Sequence, residues 1–166
     1  MTVSLNNKRV LVLGLGETGL SALRWLSAQG AELRVADTRE NPPGIDLVRK
    51  EMPKVGICLG EFADDLLSDA DLIVVSPGIA LSEAVIQAAI NLDIEVVGDV
   101  ELFARYRSSA AKVIAITGAN GKTTVTALVG EMCKAAGLKT IVAGNIGDHE
   151  VHLLDHVEVV GAGDAP

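Results

Sequence analysis

Aromatic residues are almost absent from this chain of 166 residues, which contains one Trp, one Tyr and two Phe. Apolar residues nevertheless make up 49% of the sequence, so the core must be built from Ala, Val, Leu and Ile. This bias is typical of α/β proteins, whose parallel strands are buried on both faces.

Positive charge is also scarce. Lys and Arg number 14 against 22 Asp and Glu, which gives a formal net charge of −8. An acidic chain repels the phosphate backbone of nucleic acids, so we expect no nucleic-acid partner. A local anion site built from backbone N–H groups is still compatible with this charge, because it needs no net positive charge.

The chain has only two cysteines, Cys58 and Cys133, and no Cys-x-x-Cys pair. This pattern favours two reduced, buried thiols in a cytosolic protein. No signal peptide is evident, and no apolar run approaches the ~20 residues that span a bilayer. We therefore expect a cytoplasmic protein without membrane insertion.

Short apolar runs alternate with segments of helical periodicity along the chain. Strands are predicted over residues 9–13, 33–36, 55–59, 71–75, 94–97, 113–116 and 140–143. Helices are predicted between them, one capped by Ser82 and others ended by Gly30 and Gly137. The alternation predicts an α/β fold with parallel sheets and right-handed crossovers. We place a Rossmann-like domain at residues 1–98 and an incomplete P-loop-type α/β domain at residues 99–166.

A glycine-rich turn follows the first predicted strand. Gly14, Gly16 and Gly19 match the dinucleotide-binding pattern Gly-x-Gly-x-x-Gly, and Asp37 follows the second predicted strand. The first glycine of this pattern permits a tight turn, the second lets the backbone approach a diphosphate, and the third lets the helix pack closely. Asp37 could accept hydrogen bonds from a ribose or from a base N–H. The alternative is a tight turn whose glycines serve packing only.

Another short segment, Ser76-Pro77-Gly78, directly follows the fourth predicted strand. By itself it indicates only a turn. Because ligands of parallel sheets bind at the carboxyl ends of strands, this turn is expected to share one edge of the sheet with the first glycine-rich turn.

A second glycine-rich turn, Thr117–Thr124, joins the strand at 113–116 to a helix. Such a turn directs backbone N–H groups and the positive end of a helix at phosphate oxygens. Lys122 would reach the outer phosphates, and the hydroxyl that follows it would hold Mg²⁺. The turn is shorter than the usual phosphate loop, since Ile116 stands where that loop has its first glycine. A glycine-rich connection with an exposed lysine is the alternative.

Six motifs follow one another along the chain: GLGETG, DTR, SPGI, VGDVELF, TGANGKTT and AGNIG. In this order they resemble the motifs of the Mur ligases of peptidoglycan synthesis, over about residues 5–147. The element TGxNGK[ST]T is highly specific to that superfamily. The resemblance is strongest to the branch that joins D-glutamate to UDP-N-acetylmuramoyl-L-alanine with ATP, and it implies a part in cell wall biogenesis, cell shape and cell division.

The resemblance implies a role for each motif. The UDP-sugar would be met by Leu15, Gly16, Glu17, Thr18 and Gly19 at the diphosphate, by Asp37, Thr38 and Arg39 around the uracil and ribose, and by Ser76, Pro77, Gly78 and Asn145. ATP would be held by Gly118, Ala119, Asn120, Gly121, Lys122, Thr123 and Thr124. Lys122 would stabilise the charge that develops on the phosphoryl oxygens, and Thr123 or Thr124 would hold Mg²⁺. The substrate carboxylate would form an acyl phosphate, from which the amine of D-glutamate displaces phosphate.

The resemblance ends after Gly147. The Glu-Ser-Ser segment of the family, whose Glu binds Mg²⁺, is not found in residues 148–166, although 153–155 and 157–160 resemble a helix end and the next strand. The domain that binds D-glutamate is absent too. We therefore expect a fragment that binds the UDP-sugar without ligase activity and self-associates through an exposed sheet edge. His149, His152 and His156 would share one helix face, either as a metal site or as a polar surface.

Two other functions are compatible with parts of the sequence. A NAD-linked oxidoreductase would use the first glycine-rich turn but would leave Lys122 and the two threonines after it without a role. A stand-alone P-loop ATPase would use the second turn and ignore the first.

Overall fold

The computed structural model describes residues 4–63, 65–107, 112–144 and 157–161. The chain divides into two compact units, residues 1–105 and 106–166. The first unit includes most of the helix that follows residue 98, where the sequence predicts a domain boundary.

Strands and helices alternate over most of the first unit, but among the described residues no helix separates its third strand from its fourth. Its strands are β1 (Arg9–Leu13), β2 (Glu32–Asp37), β3 (Gly56–Leu59), β4 (Leu72–Val75) and β5 (Glu95–Gly98). Its helices are α1 (Glu17–Ala28), α2 (Ile45–Glu51), α3 (Ala84–Asn91) and α4 (Asp99–Tyr106). The predicted α/β fold is therefore confirmed.

The five strands form one parallel sheet in the order β3-β2-β1-β4-β5. The order reverses direction between β1 and β4, and ligands of open α/β sheets bind beyond the carboxyl ends of the strands at such a point. Leu13 at the end of β1 is paired with Ala36 on one side and Val75 on the other. The residues that follow these strands therefore lie at one edge of the sheet, as predicted.

The core of the first unit is aliphatic, as the scarcity of aromatic residues predicts. Leu11, Leu13 and Ile73 are fully buried in the sheet, and Ile86 of α3 packs against them. Every residue of β4 and all of β1 after its first residue are buried. This burial from both faces explains why these strands are continuous apolar runs rather than alternating ones.

Two helices of this unit, α1 and α3, are followed by a residue with positive φ. Gly30 follows α1 at φ 78°, and its N–H donates to the Ser27 carbonyl at 3.0 Å while Ala31 N–H donates to the Leu26 carbonyl. This pair of bonds is the Schellman motif, in which glycine is favoured because it has no Cβ. Asp93 occupies the same position after α3 at φ 55°. The predicted cap by Ser82 is wrong, because α3 begins at Ala84 and its N-cap, Glu83, makes no side-chain capping bond.

The second unit contains β6 (Lys112–Ile116), α5 (Lys122–Ala135), β7 (Thr140–Gly144) and β8 (Val157–Gly161). The strands are parallel and ordered β6-β8-β7, so the strand predicted at 157–160 is confirmed and lies between the other two. Helix α5 packs closely on β7, since a Cβ on Gly130 would lie 2.4 Å from Cγ2 of Val142.

Two further features concern the surface. Within the described ranges, no helix is long and apolar enough to cross a membrane. Both cysteines are free thiols, but Cys58 is exposed and Cys133 is half-buried. The expectation that both are buried is wrong. Cys58 lies on β3, an edge strand of the sheet, and no strand among the described residues pairs with the outer side of β3.

Candidate functional site

The first glycine-rich turn depends on two glycines for its shape. Gly14 has φ 91°, and its N–H donates to the Ala36 carbonyl at 2.8 Å. A Cβ on Gly19 would lie 1.9 Å from the Gly14 carbonyl oxygen, a distance that no side chain tolerates. The packing role predicted for Gly19 is therefore confirmed, and α1 begins directly against the turn.

Open space lies beside two other glycines of the same edge. A Cβ on Gly16 or on Gly78 would meet no heavy atom within 4 Å. Gly16 is also the N-cap of α1 and makes no side-chain capping bond. The amino-terminal end of α1 is therefore accessible to an anion, which its backbone N–H groups and helix dipole favour.

Ser76 connects the two turns of this edge. Its backbone N–H donates to the Leu13 carbonyl at 2.9 Å, and its Oγ donates to the Gly14 carbonyl at 3.2 Å. Ile79 N–H donates in turn to the Ser76 carbonyl at 3.0 Å, which closes the Ser76–Ile79 turn. The turn after β4 is thus fixed against the turn after β1, and Pro77 and Gly78 are exposed beside it.

Asp37 at the end of β2 is 3% exposed. Its Oδ2 accepts hydrogen bonds from Leu15 N–H at 2.7 Å and from Nη2 of Arg39 at 2.7 Å. Its Oδ1 accepts bonds from the backbone N–H and Nε of Arg39, at 2.9 and 2.8 Å. The Arg39 side chain, with further help from the Leu15 and Arg39 backbone N–H groups, lowers the pKa of Asp37 to about 2 although burial opposes this.

The polar groups of Leu15 are already engaged within the protein. Its N–H is engaged by Asp37, its carbonyl accepts a bond from Gly44 N–H at 3.3 Å, and its side chain is fully buried. Glu17 is exposed and Thr18 is half-buried at the start of α1, on the open side of the turn. Thr38 and Arg39 are exposed at the end of β2.

The second glycine-rich turn joins β6 to α5. Gly121 is the N-cap of α5 in the left-handed region, at φ 74°, and makes no side-chain capping bond. Lys122 is 9% exposed, and its Nζ donates to the carbonyl oxygens of Gly118 at 2.5 Å and Ala119 at 3.4 Å. The turn therefore folds around a buried ammonium at a helix N-terminus, an arrangement suited to phosphate.

Thr123 and Thr124 are both exposed in the first turn of α5, and Asn120 is exposed just before it. In the part of the chain that the structure describes, no cluster of three His, Cys, Asp or Glu side chains could hold a metal ion. Asn145, His149, His152 and His156 lie outside the described residues.

Each turn thus lies within its own unit, at the carboxyl end of a parallel strand. A family model for the N-terminal domain of MurD-like Mur ligases matches residues 8–98. The chain belongs to the MurD-like Mur ligase family. The matched segment contains the whole first sheet and the first glycine-rich turn, Asp37 and Ser76, so it coincides with the first candidate site.

Curated relatives agree with this assignment. The chain is 64% identical over 145 residues to UDP-N-acetylmuramoylalanine–D-glutamate ligase of Methylobacillus flagellatus, covering 87% of this chain and 32% of the relative. It is 46% identical to the enzyme of the same name from Thiobacillus denitrificans, covering 99% of this chain and 37% of the relative. The chain therefore spans about a third of the length of these relatives.

Solved structures share the fold. A murein peptide ligase from Psychrobacter arcticus aligns with a TM-score of 0.62 at 20% identity, over 93% of this chain and 37% of that one. UDP-N-acetylmuramate:L-alanyl-γ-D-glutamyl-meso-diaminopimelate ligase from Neisseria meningitidis aligns with a TM-score of 0.59 at 19% identity, over 93% of this chain and 52% of that one.

One feature of the first site was not predicted from the sequence. It is the bidentate ion pair between Asp37 and Arg39, together with the bond from the Arg39 backbone N–H. A signal for it does exist. An Asp side chain at the end of a strand favours an Asx turn, in which its carboxylate accepts the backbone N–H of the residue two positions later. When the second residue is Arg, its guanidinium can reach the same carboxylate with two further bonds.

Proposed function

We propose that this chain is the N-terminal portion of an ATP-dependent ligase that joins D-glutamate to UDP-N-acetylmuramoyl-L-alanine in peptidoglycan synthesis. The observation that carries the proposal is the open edge at the reversal of strand order, with Gly16 and Gly78 beside it, inside the segment that the MurD-like model matches. The names of the relatives, which are UDP-N-acetylmuramoylalanine–D-glutamate ligases, support these substrates.

The first unit would bind the UDP-sugar. The N-terminal amides of α1 would meet the diphosphate, because the N-cap Gly16 has no side chain to cover or cap them, and a Cβ there would meet no heavy atom within 4 Å. Thr38 and Arg39 would meet the uridine, with Ser76, Pro77 and Gly78 on the other side of the crevice. Within the turn, Leu15 would contribute shape rather than an N–H, since its N–H donates to Asp37.

The second unit would bind ATP and Mg²⁺. The site fits an anionic polyphosphate, because the ammonium of Lys122 and the uncapped N-terminus of α5 point to the same turn, Gly118–Gly121. An exposed hydroxyl of Thr123 or Thr124 fits a hard cation that prefers oxygen ligands. When bound, ATP would supply the phosphoryl group that activates the substrate carboxylate. Lys122 would then stabilise negative charge on the phosphoryl oxygens.

Other parts of the assignment are also proposals. The two free thiols and the substrate class favour the cytoplasm. Neither described turn is assigned to D-glutamate, and the chain covers about a third of the length of its relatives, so we expect no ligation by residues 1–166 by themselves. Phosphate release with ATP, UDP-N-acetylmuramoyl-L-alanine and D-glutamate would contradict that expectation.

A heteronuclear NMR titration tests the proposal. UDP-N-acetylmuramoyl-L-alanine should shift amide signals of residues 14–19, 37–39 and 76–79, and Mg-ATP should shift signals of residues 117–124. Each ligand serves as the control for the other, because the two turns belong to different units. Scattered shifts, or saturable NADH binding that the UDP-sugar does not displace, would overturn the assignment of the first unit.

A further inference from the structure

The motif VGDVELF, at residues 97–103, has no role in the proposed function. Its first two residues end β5, and α4 begins at Asp99 without an intervening loop. Gly98 is paired with Val75 of β4 in the parallel ladder, so Asp99 follows β5 where Ser76 follows β4. The motif therefore brings a carboxylate to the edge of the sheet where the first candidate site lies.

The open part of this edge extends from β1 to β5. A Cβ on Gly98 would meet no heavy atom within 4 Å, as is also true of Gly16 after β1 and Gly78 after β4. The strands β1, β4 and β5 are neighbours in the sheet. Because neighbouring strands lie about 4.8 Å apart, β5 lies roughly 10 Å from β1, on the side away from β2.

The carboxylate of Asp99 is open to a ligand. Asp99 is half-buried, and its side chain makes no hydrogen bond or ion pair within the described ranges. The other acid in the first turn of α4, Glu101, accepts a bond from Nε of Arg105 at 2.6 Å, and Arg105 also contacts Glu95 at the start of β5. These contacts fasten α4 to β5 and leave Asp99 as the acid without a described partner.

We propose that Asp99 contacts the sugar of the UDP-sugar and accepts a hydrogen bond from one of its hydroxyl or amide N–H groups. This inference rests on the proposed function of the first unit. There the uridine lies at the end of β2 and the diphosphate at the start of α1, so the sugar on the far side of the diphosphate extends toward β4 and β5. An ionised carboxylate only accepts hydrogen bonds, which suits a sugar rich in donors.

A second role for this carboxylate has to be separated from the first. An acid in the first turn of a helix stabilises that helix through its N–H groups and dipole. Asp99 and Glu101 share this role, since both lie in the first turn of α4. Only Asp99 directly follows β5 at the open edge, so Glu101 is the matched control.

Calorimetry on the full chain, with UDP and with UDP-N-acetylmuramoyl-L-alanine, tests the inference. Asp99→Ala should weaken binding of the UDP-sugar about tenfold, as expected for loss of a hydrogen bond to a charged group, and should change UDP binding less than about twofold. Glu101→Ala should change neither affinity by more than about twofold.

Gly98→Ala is a second variant that does not alter the carboxylate. The φ of Gly98 is not positive and the new methyl would meet no protein atom, so we expect the chain to fold normally. The methyl would occupy the open space at the end of β5 and should weaken binding of the UDP-sugar but not of UDP. In the unchanged chain, the amide signals of Asp99 and Val100 should shift with the UDP-sugar and stay in place with UDP.

Three results would overturn the inference. If Asp99→Ala weakens binding of UDP and of the UDP-sugar equally, Asp99 acts through the fold of the edge and is not a sugar contact. If Asp99→Ala binds the UDP-sugar as tightly as the unchanged chain does, its carboxylate contributes no contact. If UDP and the UDP-sugar bind equally well and the Asp99 amide does not shift, the sugar lies elsewhere, although the uridine assignment stands. Failure to bind UDP at all would instead remove the proposed function of the first unit, and this inference with it.

Discussion

The carboxylate of Asp37 accepts the backbone N–H of Leu15 at 2.7 Å, which ties the end of β2 to the glycine-rich turn after β1. Two neighbouring strands are thereby joined beyond their last ladder bonds, at the edge where the candidate site lies. The stability of this edge therefore depends on one buried ionised group and on the pH that keeps it ionised.

Stability should fall as Asp37 becomes protonated. Its pKa is lowered from 3.8 to about 2 in the folded chain, first by the Arg39 side chain. A lowered folded pKa means that the stabilisation is present above the unfolded pKa and is lost as the pH falls from about 5 to 2, at a cost of about 1–2 kcal/mol.

The measurement is urea unfolding at several pH values, followed by the fluorescence of Trp25, the single Trp of the chain. The difference in unfolding free energy between the unchanged chain and Asp37→Asn should shrink as the pH falls. A difference that stays constant down to pH 2.5 would show that ionisation of Asp37 contributes nothing. Asp71, whose pKa Arg9 also lowers to about 2, is present in both proteins and cancels.

Gly19→Ala should destabilise the first unit much more than Gly16→Ala does. The new methyl at Gly19 would lie 1.9 Å from the Gly14 carbonyl oxygen, so the turn must move, and we expect a loss of about 3 kcal/mol in unfolding free energy. At Gly16 it meets no heavy atom within 4 Å, and the φ of −88° suits alanine. We expect a change within about 1 kcal/mol there, with weaker UDP binding because the methyl enters the crevice. Equal stability losses in the two variants would contradict the described packing.

Gly130→Ala should weaken the packing of α5 on β7, and a second substitution, Val142→Ala, should restore much of the lost stability. The added Cβ would lie 2.4 Å from Cγ2 of Val142, and overpacking of this kind costs about 1–3 kcal/mol. In the double variant with Val142→Ala the contact disappears, and alanine is the better helix former by about 1 kcal/mol. Hydrogen exchange of the α5 amides measures both variants. Additive losses, without any rescue, would mean that the two residues are not in contact.

Asp93→Gly should stabilise the first unit. Asp93 has φ 55° at the end of α3, where its Cβ is unfavourable, and its N–H and that of Ile94 close the helix on the carbonyls of Ile90 and Ala89. Glycine removes the strain and keeps both bonds, so we expect a gain of about 0.5–1 kcal/mol. Asp93→Ala is the matched control and should not stabilise, because it keeps a Cβ. Trp25 fluorescence in urea measures both; a loss with glycine would refute the argument.

Lys122→Met should weaken ATP binding by the second unit. The ammonium lies buried among the turn carbonyls, and charge-assisted bonds of this kind contribute about 1.5–3 kcal/mol, so affinity should fall at least tenfold. Lys134→Met, which removes an exposed lysine paired with Glu131 on the same helix, is the control. Calorimetry with Mg-ATP compares the two. Equal affinities would exclude Lys122 from the phosphate site.

The pattern of apolar residues predicts most of the strands and helices, and the glycines predict several of the turns between them. The strand at residues 9–13 and the close packing at Gly19 follow from local pattern alone, because a buried parallel strand is apolar throughout and only glycine fits such a turn. The cap at Ser82 fails because Ser is also common in ordinary turns, and here the helix begins two residues later. The exposure of Cys58 depends on strand order, which periodicity does not contain.

The candidate site was only partly predictable for the same reason. The glycines, Asp37 and Ser76 are placed at one edge by the rule that parallel strands end together. The rule does not predict which polar groups at this edge are already hydrogen-bonded to other groups of the protein. That Asp37 and the Leu15 N–H satisfy each other depends on side-chain distances, and these arise from packing between segments far apart in the chain.

The reversal of strand order between β1 and β4 determines which segments form the crevice between the turn after β1 and the turn after β4. Its two walls come from segments that are far apart in the chain, because β2, α2 and β3 separate them in sequence and lie on one flank of β1, while β4 and β5 lie on the other. A molecule in which β4 and β5 have detached keeps the glycine-rich turn but loses the wall that Ser76 provides. A uridine nucleotide bound by the proposed site would therefore hold β4 and β5 against β1, and protection of residues 71–98 from proteases should increase with its occupancy.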